Sequence, residues 1–306
     1  MIAYILWIAV MVLTAPLFLS LIKMIKMWLL FKKPLSPLQG YRDFSKLLSK
    51  EVLISQEASA ITHIAPYMVL APLVVVLFLL PPPSAKSFFI SFTDAFTLTG
   101  LVALSSFFLM LLGLDSASSF GGIGSSREAF ISALVEPAMI LVIFALSLMA
   151  KNLGVAQATI NLAHHFPIEH LASFAFAGIA FFILLIAENG RIPVDNPETH
   201  LELTMVHEAM ILDISGWYLA LVESAAAIKF MIFASLFVSF FMPFGMDAPF
   251  LVALLIFLLK VAFVAILVAL IEVNTAKLRL FKVPNLLGLA IIFAFLSLIS
   301  YYILGA

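Results

Sequence analysis

The sequence predicts an all-α integral membrane protein, a bundle of about eight transmembrane helices, and three observations carry that expectation. Of 306 residues, 64% are apolar and only 11% charged, well outside the roughly 45–50% apolar usage of soluble domains. Apolar runs long enough to cross a hydrocarbon core, which takes about 20 residues, recur along the whole chain. Alternating segments of about ten residues, the mark of a transmembrane barrel, are missing from the pattern.

In chain order the spans run near 2–22, 64–80, 95–114, 129–150, 171–187, 215–242, 248–271 and 283–304, within one transmembrane domain covering 1–306. The first has neither a basic start nor a small-residue cleavage site, so it reads as a retained helix and not a signal peptide. Pro66 and Pro72 inside the second are tolerable, because neighbouring helices re-satisfy the backbone groups a proline frees. Between spans one and two, PLSPLQGYRDFSKLLSKE turns amphipathic after its prolines. At 100° per residue, Leu38, Tyr41, Phe44, Leu47 and Leu48 share one half of a helix and Arg42, Asp43, Lys46 and Lys50 the other. Such a helix lies in the membrane interface, either shielding the bundle or lining an entrance for lipid or quinone.

Basic residues give the orientation. With the N-terminus outward, inner segments 23–63, 115–128, 188–214 and 272–283 hold Lys23, Lys26, Lys32, Lys33, Arg42, Lys46, Lys50, Arg127, Arg191, Lys277, Arg279 and Lys282, whereas outer segments hold Lys86 and Lys151. That asymmetry is a positive-inside signal. It predicts a multi-pass protein of the cytoplasmic membrane with both termini outside.

The chain has no cysteine, so thiolate ligation of an iron–sulfur cluster, a nickel centre or a c-type haem is not available to it. His63, His164, His165, His170, His200 and His207 fall in loops or at span ends, where a b-type haem would find no buried pair. No metal site is expected either, since His200 and His207 fit no HExxH spacing.

Loop five, opening AENGRIPVDNPETHLELTMVHEAM, is the second structured loop. It carries Glu188, Asp195, Glu198, Glu202, Glu208 and Asp213 against one cation, Arg191. Helix punctuation accounts for part of this: Asn196 can cap, Pro197 suits a first helical position and Glu198 favours the positive end of the dipole. Glu202, one turn beyond Glu198, meets like-charge repulsion of a few tenths of a kcal/mol. The expectation is a partly buried cluster of Glu202 with Asp195 and either Glu208 or Asp213; a solvated acidic loop is the plainer reading.

Ionisable residues also occur in or at the spans: Glu136 in the fourth, Glu223 and Lys229 in the sixth, Lys260 in the seventh and Glu272 at its inner end. Each costs roughly 2.5–3.5 kcal/mol on insertion scales and marks an ion path by default. Neither Glu223 with Lys229 nor Lys260 with Glu272 has same-helix geometry, so each needs a partner elsewhere. Counted at about 1.5 Å per residue, Lys229 and Lys260 should both sit near mid-depth, at least one of them beside Glu223, Glu136 or a neighbouring subunit's acid. Interhelical pairing that merely holds the bundle is the competing reading.

Arg191-Ile-Pro193-Val-Asp195 followed by Glu198, Glu202 and Asp213-Ile-Ser215-Gly216 resembles the acidic loop of the quinone-cavity subunit of respiratory complex I. The chain is more similar to the homologous membrane subunit of energy-converting group 4 [NiFe] hydrogenases, of the formate hydrogenlyase and CO-linked types. Tyr41-Arg42-Asp43 with Lys46-Leu47-Leu48, Gly124 through Glu128, Val135-Glu136-Pro137, and Glu272-Val-Asn274 with Ala276 through Leu280 follow in the same order as in that family. Two departures stand out. Asp213-Ile214 replaces the family's usual Glu-Tyr, leaving Glu208 or Asp213 to take that acidic place. Lys32-Lys33-Pro34 stands where the complex I subunit generally has Arg-Arg with Gly-Pro, which weighs against quinone reduction.

The resemblance implies a non-catalytic subunit of an oxidoreductase complex. Hydrogenase large and small subunits, holding the [NiFe] centre and iron–sulfur clusters, would dock on an inner face that includes Arg42, Asp43, Lys46, Arg127 and Glu128. Antiporter-like membrane subunits would lie alongside in the bilayer, and no nucleic acid is involved. The subunit would pass charge changes from the acidic loop to Glu136, Glu223, Lys229, Lys260 and Glu272 and so drive a proton or sodium pump. Alternatives are the quinone-cavity subunit of an NADH:quinone oxidoreductase, a passive anchor, and a stand-alone secondary transporter; the last would more often show matching halves with broken helices.

Overall fold

The computed structural model describes residues 2–55, 57–84, 94–164, 168–197 and 205–304. Eleven α-helices run through them: α1 (Ile2–Leu29), α2 (Gln39–Leu48), α3 (Ala60–Leu79), α4 (Ala95–Asp115), α5 (Ser119–Met149), α6 (Val155–His164), α7 (Leu171–Glu188), α8 (His207–Met210), α9 (Gly216–Phe241), α10 (Phe250–Asn274) and α11 (Val283–Leu304). Among the described residues, α1, α3, α4, α5, α7, α9, α10 and the segment containing α11 are long and apolar enough to cross a membrane. The protein is an all-α integral membrane bundle. "Inner" denotes below the face carrying the connections after α1, α4, α7 and α10.

Three helices begin or end away from the expected bounds, each for a local reason. α1 runs on to Leu29, taking Lys23 and Lys26 out of the expected loop. It closes with Lys32 N–H donating to Met27 O at 2.9 Å across Phe31 at φ 55, a Schellman-type end. α3 begins at Ala60 because Asp115, at the end of α4, accepts from Thr62 N at 2.9 Å and Thr62 Oγ1 at 2.6 Å. The expected loop 115–128 shrinks to three residues: Ser118 caps α5 by accepting from Gly121 N at 3.0 Å, so GSSRE is helical. Its glycine serves packing. A Cβ on Gly124 would come 2.9 Å from both Ala209 Cβ and Val206 O.

α9 is the axis of the bundle, the most enclosed of the spans, packing on α1, α3, α7 and α10. Phe230, Met231, Ile232 and Phe233 are buried along it. The helices around α9 do not end at one level. Lys229 lies about 20 Å along α9 from Gly216, yet it meets Glu188, the last residue of α7. One residue on, Phe230 lies under the Arg191 guanidinium, 5.9 Å from its ring centre. So α7 and α10 stop beside the middle of α9, and loop five turns there, well inside the bundle.

The first half of α9 continues past those ends, flanked by α2 and α3. Tyr218 Oη lies 3.0 Å from His63 Nδ1, and Ser215 Oγ accepts from Leu53 N at 2.7 Å. Gly216, at φ +61, leaves no room for a Cβ, which would fall 2.7 Å from Glu51 O. The Ser215-Gly216 pair thus stitches the end of loop one to the start of α9. Helix α2 lies against α1 through Gly40, whose N donates to Ser20 Oγ at 2.9 Å, and through the Tyr41 hydroxyl, which donates to Leu13 O. None of its residues is buried.

Candidate functional site

Glu188 ends α7, at the negative pole of its own helix dipole, where a carboxylate is disfavoured. A cation offsets it: Lys229 Nζ approaches Glu188 Oε2 to 2.6 Å and donates to Ser106 Oγ of α4 at 3.0 Å. Both side chains are nearly enclosed, 13% and 9% exposed, so the pair is shielded from the solvent that makes surface pairs weak.

Three residues further on, Arg191 turns back into the bundle. Its Nη1 donates to Glu272 Oε1 at 3.3 Å, and Glu272 Oε2 lies 3.5 Å from Lys26 Nζ. One buried carboxylate thereby ties α1, loop five and α10 together. Asp195 makes a second knot. It accepts from Lys277 Nζ at 2.5 Å and from the N–H groups of Asn196, Val206 and His207 at 2.8, 3.2 and 3.2 Å. Arg127 Nη1 donates to Met205 O at 2.8 Å, fixing the far end of the same loop to α5.

Glu188, Arg191, Asp195, His207 and Lys229 border a cavity of about 390 Å³ that runs from α2 into the bundle. At its α2 end stand Lys23, Asp43, Lys46 and Glu223; at its inner end stand Glu128, Glu188, Asp195, His207, Glu208 and Lys229. Glu223 has Lys23 and Asp43 as its charged neighbours. A second cavity of about 20 Å³, room for about one water, is lined by Glu136 and again by Glu188. Glu188 therefore borders both spaces, with Lys229 and Glu136 as its charged neighbours on either side. Burial drives His207 down to about 4, helped by the positive charge of Lys229 and opposed by Asp195, so the imidazole is neutral at neutral pH.

Several expected site residues have different company. Asp195 pairs with Lys277, because the α10–α11 connection crosses beneath loop five and Leu278 N donates to Pro193 O at 2.9 Å; its expected clustering with Glu202 lies outside the described residues. Asp213 is exposed and outside the cavity. Glu198 and Glu202, with the expected helix start at Pro197, fall on or against 198–204, outside the described residues. Of the residues expected on the inner docking face, Arg127 and Glu128 lie in the helical start of α5 and are partly buried, whereas Arg42 on α2 is exposed.

Of the two span lysines, Lys229 is the one that meets an acid, and Lys260 is placed elsewhere. Its Nζ donates to Met242 O at 2.6 Å and to Phe244 O, and lies 4.0 Å from the Phe244 ring centre. It reaches up to the carbonyls that α9 leaves unpaired at its outer end, away from Glu223, Glu136 and the cavity. Glu128 was the reverse case, a cavity carboxylate hidden in a glycine-rich stretch. Its spacing from Glu136, eight residues on the same helix, was the signal that could have found it. Among the described residues no three of His, Asp and Glu gather to hold a metal ion.

Comparison with known proteins gives a consistent answer. A family model described as NADH dehydrogenase matches residues 3–303. Hydrogenase-4 component C of Escherichia coli (strain K12) is 30% identical over 295 residues, 94% of this chain and 91% of that protein. Formate hydrogenlyase subunit 4 of the same organism is 29% identical over 268 residues, 86% of each. Among solved structures, a chain of the membrane-bound sulfane sulfur reductase, an archaeal respiratory membrane complex, superposes with a TM-score of 0.83 at 16% identity, covering 97% of this chain and 98% of that one. That last likeness is one of fold.

Proposed function

The chain belongs to the NADH dehydrogenase family, as a membrane subunit of the hydrogenase-4 and formate hydrogenlyase kind, and we propose that it couples redox chemistry in a docked soluble arm to ion movement in the membrane. The arm, with a [NiFe] centre and iron–sulfur clusters in hydrogenase large and small subunits, docks on the inner face around Arg42, Asp43, Lys46 and the acidic loop. Antiporter-like subunits lie beside the chain in the cytoplasmic membrane, whose cytoplasmic side is the face rich in Lys and Arg. Both termini are then outside.

One observation supports this reading above the others: Glu188, paired with Lys229, borders both the large cavity and the small one that holds Glu136. A charge arriving near loop five acts on this pair at close range. Two unit charges 4 Å apart interact by about 4 kcal/mol at an effective dielectric of 20, against about 1 kcal/mol in water. An interaction of that size biases the balance between the Lys229–Glu188 pair and passage of a proton between Glu188 and Glu136. Glu128, Glu208 and Glu223 line the approach; Glu198 and Glu202 belong to the same acidic loop. Arg191 and Glu272 hold the frame and need not move.

The test is Glu188→Gln in the assembled complex, reconstituted in vesicles. Electron transfer continues while ion movement per electron falls towards zero. Unchanged ion movement would overturn the assignment.

A second reading is favoured by the cavity itself. At about 390 Å³ it falls in the range of small-molecule pockets, roughly 300–1,000 Å³, and it opens beside α2, so a quinone headgroup has room. Inhibition of turnover by short-chain quinone analogues, relieved by Phe44→Ala at the α2 wall, would select this reading; indifference to them would select the first.

A further inference from the structure

α7 and α10 each pack on α9 but stand apart from one another. The space between them is a groove of about 540 Å³ on the membrane-facing flank, sharing no lining residue with the two cavities above. Its walls are almost entirely carbon: Gly178, Ile179 and Phe182 of α7, Phe237 of α9, and Leu267 and Leu270 of α10. Ile179 and Leu270 are 46% and 38% exposed, so the groove is open along its side.

The groove has a polar end, supplied by chain topology. α11 packs on α7, so the connection from α10 must cross from one wall to the other at the inner mouth, beside Asn274 and Thr275. The bond from Leu278 N to Pro193 O, just past the end of α7, fixes that crossing. Lys277 on this lintel is engaged by Asp195. Arg279 and Lys282 are exposed, and between them Phe281 is 90% exposed. The groove is apolar, and the connection that crosses at its inner mouth carries two exposed cations and an exposed aromatic side chain within a few residues of Thr275, a combination that matches a molecule with an acyl tail and an anionic head.

The geometry points to a binding site for an anionic phospholipid, its acyl chain lying between α7 and α10 and its headgroup held by Arg279 and Lys282. This site does not depend on the coupling reading. A basic side chain at the surface contributes roughly fivefold in affinity for an anionic lipid, so the pair should give a clear preference over zwitterionic lipid.

The absence of native cysteine permits a direct test. The full chain with Leu270→Cys is labelled with bimane and placed in phosphatidylcholine vesicles containing either brominated phosphatidylglycerol or brominated phosphatidylcholine as quencher. Quenching is expected at a roughly 25-fold lower mole fraction of the phosphatidylglycerol. A label at Leu259→Cys, on α10 outside the groove, should show no such preference, and Arg279→Gln with Lys282→Gln should abolish it at Leu270. Ile179→Cys on the opposite wall repeats the measurement should the first variant fold poorly. Equal quenching by both lipids at the groove, or a preference that survives the double substitution, overturns the proposal. In the assembled complex, a photoreactive benzoylphenylalanine at Leu270 should cross-link to lipid; an adduct with a partner subunit would show that a protein segment fills the groove and would overturn it as well.

Discussion

Lys229 Nζ and Glu188 Oε2 stand 2.6 Å apart, one from the middle of α9 and the other from the last residue of α7. Removing one member of a buried pair strands the other, at a cost of about 3–5 kcal/mol, whereas removing both strands nothing. Lys229→Met and Glu188→Gln should therefore each lower the stability of the detergent-solubilised chain by about 3 kcal/mol. The double variant should recover most of that loss while still failing to support ion movement. Additive losses in chemical denaturation would show that the two side chains act independently.

The knot around Glu272 should behave differently. It joins α1, loop five and α10 through Lys26 and Arg191, and its role is to hold the frame. Glu272→Gln leaves two buried cations without their anion, so the expected loss is again about 3 kcal/mol or more, seen as a lower yield of assembled complex. Complex that does assemble should keep its ratio of ions moved to electrons transferred. A changed ratio at normal assembly would place Glu272 on the ion path after all.

Lys260 gives the sharpest contrast with Lys229. Its ammonium is committed to the Met242 and Phe244 carbonyls at the outer end of α9. Lys260→Met should leave ion movement near its normal value and destabilise the end of α9, seen as faster hydrogen exchange around 238–246. Lys229→Met should abolish ion movement. Equal functional loss in the two variants would contradict the structure's separation of them.

His207 carries a pH dependence whose sign follows from its burial. Its ordinary value of about 6.5 applies to the unfolded chain, and the folded chain holds it down to about 4. Between those values the unfolded state binds a proton that the folded state does not, so this contribution is complete above about pH 6.5 and is lost as the pH falls towards 4. The slope attributable to the residue is up to about 1.4 kcal/mol per pH unit. Thermal melting from pH 7 to 4.5 should show a fall in the native chain that is shallower in His207→Gln. Parallel curves would mean that His207 is protonated in the fold.

Composition and periodicity by themselves determined the membrane bundle, its eight spans and the amphipathic helix α2. These are local properties: a run of apolar side chains in lipid has only the helix available to satisfy its backbone, and α2 shows its character within three turns. Which charges meet was decided by tertiary structure. Lys229 and Lys260 read alike as lone cations in apolar spans, yet one faces Glu188 and the other caps α9. GSSRE falls in the expected loop 115–128, yet it is helical, and Gly124 lets α5 press against loop five and bring Glu128 to the cavity. Pairing depends on where neighbouring helices stop relative to one another. α7 and α10 end beside the middle of α9, an offset set by packing between distant segments, and no spacing within a single helix encodes it.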